Sequence, residues 1–283
     1  LGDVDARTQG EKGQFFTPVA AAEMIASMVR LPEQGTLRVL DPGAGSGVLS
    51  AALIARVLRE CPSVSIDLLA VERDTAMIPY LEGTLSECEK QGQGRIRTTA
   101  IQADFILDST GREVLLDFES NFDVVIENPP YGKLAVSSQH RKAMRASSID
   151  APNLYAAFLS LSIAALKPSG QLVAITPRSF FNGPYFGPFR AHLLDSLALD
   201  RIHVFDSRST VFADTGVLQE NVIFAGTRDG VRDEVELSVS RDHTGEIASR
   251  IVLYHDVVFP NDPHRFIRLA TDEEDTAVAE LVL

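Results

Sequence analysis

The residues Asn128-Pro129-Pro130-Tyr131 directly follow a short apolar run, Phe122-Asp123-Val124-Val125-Ile126-Glu127, in a chain of 283 residues. Neither proline has an N–H and each holds φ near −65°, so a sheet ladder cannot continue through them. The chain is therefore stiffened where a strand would end. The side-chain oxygen of Asn128 and the backbone carbonyl of Pro129, held rigidly, are two hydrogen-bond acceptors that can grip a planar amine. Upstream lies a glycine-rich loop, Pro42-Gly43-Ala44-Gly45-Ser46-Gly47, preceded by Asp41. Strand, glycine loop and helix in succession bring backbone N–H groups and a helix N-terminus to one point, where a nucleotide-type ligand can approach closely. A tight structural turn is the competing reading, and the spacing departs from the G-x-G-x-x-G of a dinucleotide site.

Two more acids recur in similar places. Glu72 closes the next apolar run, and Asp104 closes the one after it, with Phe105 alongside. A carboxylate at such a position suits a ribose diol, and an acid beside an aromatic suits the amine and face of a purine. Each acid alone is an ordinary solvated turn residue. Their occurrence at successive strand ends is what supports a shared site.

The elements that must position these groups alternate between strand and helix, which predicts βαβ units and a parallel sheet covered on both faces. Thr17 reads as the N-cap, and Pro18 as the first residue, of a helix running to about Arg30. Strands are predicted over 37–41, 65–72, 97–101, 122–127, 171–176, 199–205 and 220–225, with helices over 51–59, 74–90, 153–166 and 186–197. The segment 235–239 alternates as an edge strand would. Residues 1–230 are expected to form a catalytic domain, and 231–283 edge strands or a linker toward a further domain. The start at Leu1 and a closing acidic stretch read as a piece of a longer protein.

Composition narrows the partners. A net charge of −13 is awkward for gripping nucleic acid, which rests on Lys and Arg, so any such affinity must be local or supplied elsewhere. Cys61 and Cys88 have no companions at metal spacing and read as structural thiols. With neither a signal peptide nor an apolar run of membrane length, the chain is expected in the cytoplasm, away from membranes.

The set Leu40-Asp41-Pro42-Gly43-Ala44-Gly45-Ser46-Gly47, Val71-Glu72, Ala103-Asp104-Phe105 and Asn128-Pro129-Pro130-Tyr131 resembles the class I S-adenosylmethionine-dependent methyltransferases. More narrowly, it resembles the DNA N6-adenine methyltransferases of restriction-modification systems. Gly13-Gln14-Phe15-Phe16-Thr17-Pro18 is similar to the motif that comes first in their gamma arrangement. The resemblance covers residues 13–225. It implies a Rossmann-like, doubly wound sheet of seven strands, mostly parallel, with an antiparallel strand near one edge. It also implies S-adenosylmethionine as cofactor. Asp41 and the loop residues Pro42, Gly43, Ala44, Gly45 and Gly47 would hold its methionine part, Glu72 and Arg73 the ribose, and Asp104 and Phe105 the adenine. Phe16, Thr17 and Pro18 would close over the methionine end and Phe158 would line the pocket, although Phe158 also reads as the core residue of an amphipathic helix.

The resemblance gives the tetrapeptide a task. Adenine's exocyclic amine is a poor nucleophile because its lone pair is delocalised, and acceptors at Asn128 and Pro129 would draw that nitrogen toward sp3 character. No base is required before attack on an electrophilic methyl group held in line. A duplex base must first be flipped out, with Tyr131 replacing its lost stacking on one face and, by the resemblance, Phe212 on the other. Phe212 also reads as simple packing between strands. Lys133, Arg141, Lys142 and Arg145 fall in an acid-free stretch and suit phosphates, or else form a solvated helix face. The implied partner is double-stranded DNA, read mainly by a C-terminal recognition domain beyond this sequence, with a cognate restriction nuclease as a second partner. Protein-glutamine and ribosomal RNA guanine methyltransferases share the tetrapeptide, and a non-catalytic cofactor-binding subunit is the remaining alternative. The segment Phe15-Phe16-Thr17-Pro18 favours DNA over the first two, and the intact Asn128 and Tyr131 argue against the non-catalytic subunit.

Overall fold

The computed structural model describes residues 17–110, 121–205 and 221–269. Phe16 and Phe212 therefore lie outside the described residues. Nine strands form one sheet: β1 Gly35–Pro42, β2 Val64–Glu72, β3 Ile96–Gln102, β4 Phe122–Glu127, β5 Leu166–Pro177, β6 Leu197–Phe205, β7 Asn221–Arg228, β8 Glu234–Ser240 and β9 Ala248–Leu253. Their order across the sheet is β3-β2-β1-β4-β5-β7-β6-β8-β9. The first five run parallel, β7 lies antiparallel to both β5 and β6, β8 returns parallel to β6, and β9 pairs antiparallel to β8.

Both faces are covered because the central strands are apolar on both sides. β4 sends Val124 and Ile126 into one core and Val125 into the other. The first core holds helices α1 Val19–Ser27, α2 Val48–Glu60 and α3 Ile78–Gln91 against the sheet. The second holds α4 Phe105–Thr110, α5 Gln139–Ala146, α6 Leu154–Ala165 and α7 Gly187–Ser196. Helix α6 starts cleanly because Asn153 caps it, its side chain accepting from the Ala156 N–H at 3.0 Å. A last short helix, α8 Tyr254–Val257, packs near the β8–β9 edge.

The architecture is the expected α/β sheet with two differences. There are nine strands rather than seven, because β6 offers an open edge and residues 234–253 supply a parallel strand and a hairpin partner to it. The first of these matches the alternating segment 235–239. The second, β9, has no buried residue, so no apolar period marks it. Helix α1 also begins one residue later than predicted: Pro18 occupies the N-cap and no side chain caps it.

The glycine loop is a tight junction in this frame. Gly45 and Gly47 have φ of +57° and +82°, conformations that cost an L-residue about 1–2 kcal/mol. A Cβ on Gly45 would meet nothing, whereas one on Gly47 would lie 2.9 Å from Leu81 Cδ1, which is itself fully buried. Gly45→Ala should therefore lower unfolding stability by about 1 kcal/mol, and Gly47→Ala clearly more, when urea midpoints are compared at equal m-values. Equal losses would contradict this packing of α3 against the loop.

Candidate active site

The glycine loop leaves β1 and folds back over the end of β2. Gly43 and Ala44 N–H groups both donate to the Val71 carbonyl, at 2.8 and 3.0 Å. Glu72, the last residue of β2, then fixes the loop: one carboxylate oxygen accepts from the Gly45 N–H at 2.8 Å and the other from the Asp74 N–H at 2.6 Å. A carboxylate has roughly four lone-pair sites, so two remain for a diol. Behind the loop, a Cβ on Gly43 would lie 3.2 Å from the Phe158 ring, and that ring sits 5.0 Å from Phe105 at 47°. Phe158 is buried in the core, as its reading as a helix core residue requires.

At the end of β3, Asp104 gathers three donors. His140 of α5 lies 2.9 Å from one oxygen, Arg73 lies 3.3 Å from the same oxygen, and the Leu107 N–H reaches the other at 3.1 Å. Burial opposes ionisation of Asp104, but the hydrogen bonds from His140 and Leu107, with the charges of His140 and Arg73, hold its carboxyl down at about 2. It remains a carboxylate. No spacing in the sequence signalled the His140 contact, since His140 belongs to the segment after the tetrapeptide.

Two other acids are buried beneath the loop. Asp41 is 1% exposed, so it supports the loop from below and presents no open carboxylate to the cleft, in contrast to the expected grip on a methionine group. One of its oxygens accepts the Ser50 hydroxyl at 2.6 Å, the other is buried without a partner, and burial above all pushes its carboxyl up to about 7. Glu127, just before the tetrapeptide, is completely buried and neither of its oxygens has a hydrogen-bond partner. Burial raises its carboxyl to about 8, relieved only in part by nearby Ser162 and reinforced by Asp41. Sequence reasoning missed it, although an acid closing an apolar strand is itself unusual.

At the tip, the Asn128 amide is held from two sides. Its Nδ2 donates to Thr17 Oγ1 at 2.9 Å, and its Oδ1 accepts the Tyr131 hydroxyl at 3.0 Å. That hydroxyl is also 3.4 Å from the Ile175 carbonyl. Burial raises the phenol above its ordinary range, so Tyr131 stays neutral and a donor. Its ring meets Tyr155 edge-on at 6.4 Å, and Tyr155 stacks on Phe186 at 5.7 Å. The aromatic loop 177–185 borders the tip through Tyr155, whose hydroxyl lies 3.0 Å from Ser179 Oγ and whose ring lies 6.3 Å from Phe180. It is pinned by the buried Arg190, which donates to the carbonyls of Phe180 and His264, each at 2.9 Å.

The basic segment divides. Lys133 is exposed, and its backbone bridges to Asn153. Arg141 departs from the expected ligand role: it bonds the Ala151 carbonyl and Asp150, the latter at 3.1 Å, with only 12% of its side chain exposed. It closes its own loop. Lys142 and Arg145 remain exposed on α5.

The residues fit a nucleoside cofactor. Glu72 suits a diol, Asp104 an exocyclic amine and the Phe105–Phe158 pair one side of a base, and Gly43 lets the loop pack directly on the Phe158 ring, which a Cβ there would meet at 3.2 Å. Beside them stands a rigid acceptor tip at the end of β4. Among the described residues, no group of three His, Cys, Asp or Glu is placed to hold a metal, and no helix is long and apolar enough to cross a membrane.

Residues 72–212 match the Eco57I restriction-modification methylase family. The chain is 37% identical over 280 residues to the type II methyltransferase M.BsuBI of Bacillus subtilis, covering 96% of this chain and 55% of that protein. It is 34% identical over 281 residues to the type II methyltransferase M.PstI of Providencia stuartii, covering 98% and 55%. The chain thus spans about half the length of these relatives. The fold is similar to that of the type I restriction-modification methyltransferase subunit from Streptococcus thermophilus, with a TM-score of 0.59 and 19% identity over 95% of this chain and 52% of the other.

The buried acids generate a pH dependence. Glu127 is protonated in the folded state up to about pH 8 but ionises near 4.5 when exposed, so its contribution to stability is complete below about pH 4.5 and lost as pH rises through about 8. Glu127→Gln keeps the neutral shape and cannot ionise. Its stability relative to the parent protein should rise by about 4 kcal/mol between about pH 5 and pH 9 in urea titrations. A difference that stays constant over that range would show Glu127 to be ionised in the folded state.

Proposed function

We propose that this chain, whose residues 72–212 match the Eco57I restriction-modification methylase family, transfers a methyl group from S-adenosylmethionine to the N6 amine of a flipped adenine in DNA. The observation that carries this reading is the Asn128 amide, fixed at the end of β4 between Thr17 and Tyr131, next to a cleft built for a nucleoside. Bound S-adenosylmethionine supplies an electrophilic methyl group on a positively charged sulfur. Glu72 would take the ribose hydroxyls and Asp104 the adenine amine, with the Phe105–Phe158 pair lying to one side of the base.

The chain's own part in the chemistry is to prepare the nucleophile. Asn128 Oδ1 and the Pro129 carbonyl accept the two N–H bonds of the target amine, concentrating its lone pair on the side away from them. The prolines keep these acceptors from yielding. Proton loss follows transfer, when the nitrogen is acidic, so no strong base is needed at the tip. Tyr131 is assigned to one face of the extruded base, with Phe212 as its counterpart and Lys133 available to a flanking phosphate.

An acidic chain needs help to find its target. We assign duplex recognition mainly to a C-terminal domain, with residues 231–283 leading toward it, and take a cognate restriction nuclease as the functional partner. The net charge of −13 and the 55% span of the curated relatives support this division.

The test is methylation of mixed-sequence DNA by the full-length protein with labelled S-adenosylmethionine, followed by nucleoside mass analysis. N6-methyladenine is the expected product; label confined to cytosine, RNA or protein would overturn the reading. Asn128→Ala should lower kcat by about 100-fold or more while cofactor affinity changes little. An undiminished rate would remove Asn128 from the mechanism.

A further inference from the structure

The stretch that carries the tip and the loop after β5 differs in charge from the rest of the chain. From Asn128 to Leu194 there are seven Lys and Arg but a single acid, Asp150, in a chain of net charge −13. That acid is already paired with Arg141 at 3.1 Å. A polyanion is therefore opposed less here than elsewhere on the molecule.

An exposed ring stands within this stretch. β5 runs parallel to β4, so the loop after it leaves the sheet at the same edge as the tetrapeptide. Tyr185 lies in that loop and is 67% exposed. Single exposed aromatic residues are ordinary on protein surfaces, but this one is set apart by its mounting. The next residue, Phe186, is buried and meets the Tyr185 ring at 5.6 Å and 81°, while Arg190 holds the Gly183 carbonyl at 3.1 Å. The Tyr185 hydroxyl donates to the Pro152 carbonyl at 3.3 Å, next to Asn153, whose backbone bridges to the exposed Lys133. The ring is thus fastened at both ends, near a cation two residues past Tyr131, with most of its surface left to solvent. Among the described residues the other exposed Phe or Tyr ring is Tyr80, which stands on α3 with Glu82, Glu87 and Glu89.

A held aromatic ring beside a cation suits an unstacked nucleotide, because every base has a π-face and the side chain is already ordered before binding. Extruding an adenine also strips its neighbours of a stacking partner. We propose that Tyr185 is a further DNA-binding residue, which stacks on a base left exposed beside the flipped adenine.

This proposal rests on DNA being the substrate, and its test separates the two. In the full-length protein, with labelled S-adenosylmethionine and mixed-sequence DNA, Tyr185→Ala should lower kcat/KM for DNA by about 5-fold to 100-fold, the range of one lost base–aromatic stack. KM for S-adenosylmethionine should stay within about 3-fold of the parent value. Tyr185→Phe keeps the ring, and Tyr80→Ala removes a ring from an acidic helix; both should remain within about 3-fold of the parent in kcat/KM for DNA. An unchanged kcat/KM in Tyr185→Ala would overturn the proposal. So would an equal loss in Tyr185→Phe, which would show the hydroxyl bracing the loop.

Binding without turnover covers the case in which adenine N6 is not the methylated atom. In filter binding of long mixed-sequence DNA with S-adenosylhomocysteine in place of the methyl donor, Tyr185→Ala should raise Kd by about 5-fold or more. Equal retention of DNA by Tyr185→Ala and the parent would overturn the proposal. Weakened retention with no N6-methyladenine formed would uphold it and remove the functional reading, whereas a parent protein that retains no DNA would overturn both.

Discussion

Parallel pairing of β1 with β4, Val39 beside Val124 and Leu40 beside Val125, decides where every reactive group falls. Strands that run the same way end at the same edge, so the loop after β1 and the tetrapeptide after β4 emerge together. The chain steps outward from β1 to β2 and β3, then crosses back to β4 on the other side. That reversal opens a crevice at the strand ends, the usual ligand position in such sheets. β2 and β3 add Glu72 and Asp104 to one wall, and β4 adds Asn128 to the other. Had β4 paired antiparallel, the tetrapeptide would lie at the opposite edge, far from the glycine loop.

The four acids near these strand ends behave differently because their hydrogen-bond partners differ. Glu72 accepts two backbone N–H groups and Asp104 gathers His140, Arg73 and the Leu107 N–H. Asp41 has one hydroxyl partner, and Glu127 none in hydrogen-bond geometry. The result is one firmly ionised acid in the cleft, at Asp104, and two buried acids whose carboxyls are raised to about 7 and about 8. Composition counts all four as negative. The field felt by a ligand is set by the partnered ones.

Most of the sheet was legible because β1, β2, β4 and β5 are apolar runs bounded by turn residues, a pattern that survives without tertiary information. The motif residues were legible as types and in order. What stayed hidden were contacts between residues distant in sequence: Ser50 under Asp41, His140 on Asp104, and Arg141 turned back to Ala151. A basic side chain reads the same whether it faces a phosphate or closes its own loop. The strand β9 was hidden for a different reason, since only Arg250 and Val252 are partly buried and its exposed Ile251 and Leu253 blur any apolar alternation. Thr17 was identified as important, but a capping role would have consumed the hydroxyl that the fold directs to Asn128.

The segment between Tyr131 and Asn153 shows how these hidden contacts combine. Its base is closed by the Leu154 N–H donating to the Gly132 carbonyl at 3.0 Å and by the bridge between Lys133 and Asn153. Its interior is closed by Arg141 on Ala151 and by the fully buried Met144. Its outer contact is His140 on Asp104, the acid at the far end of the cofactor cleft. Helix α5, which carries the exposed Lys142 and Arg145, cannot move away without stripping Asp104 of a donor, and Asp104 cannot turn without losing α5. The basic helix and the acid at the end of β3 are therefore joined through the His140 contact.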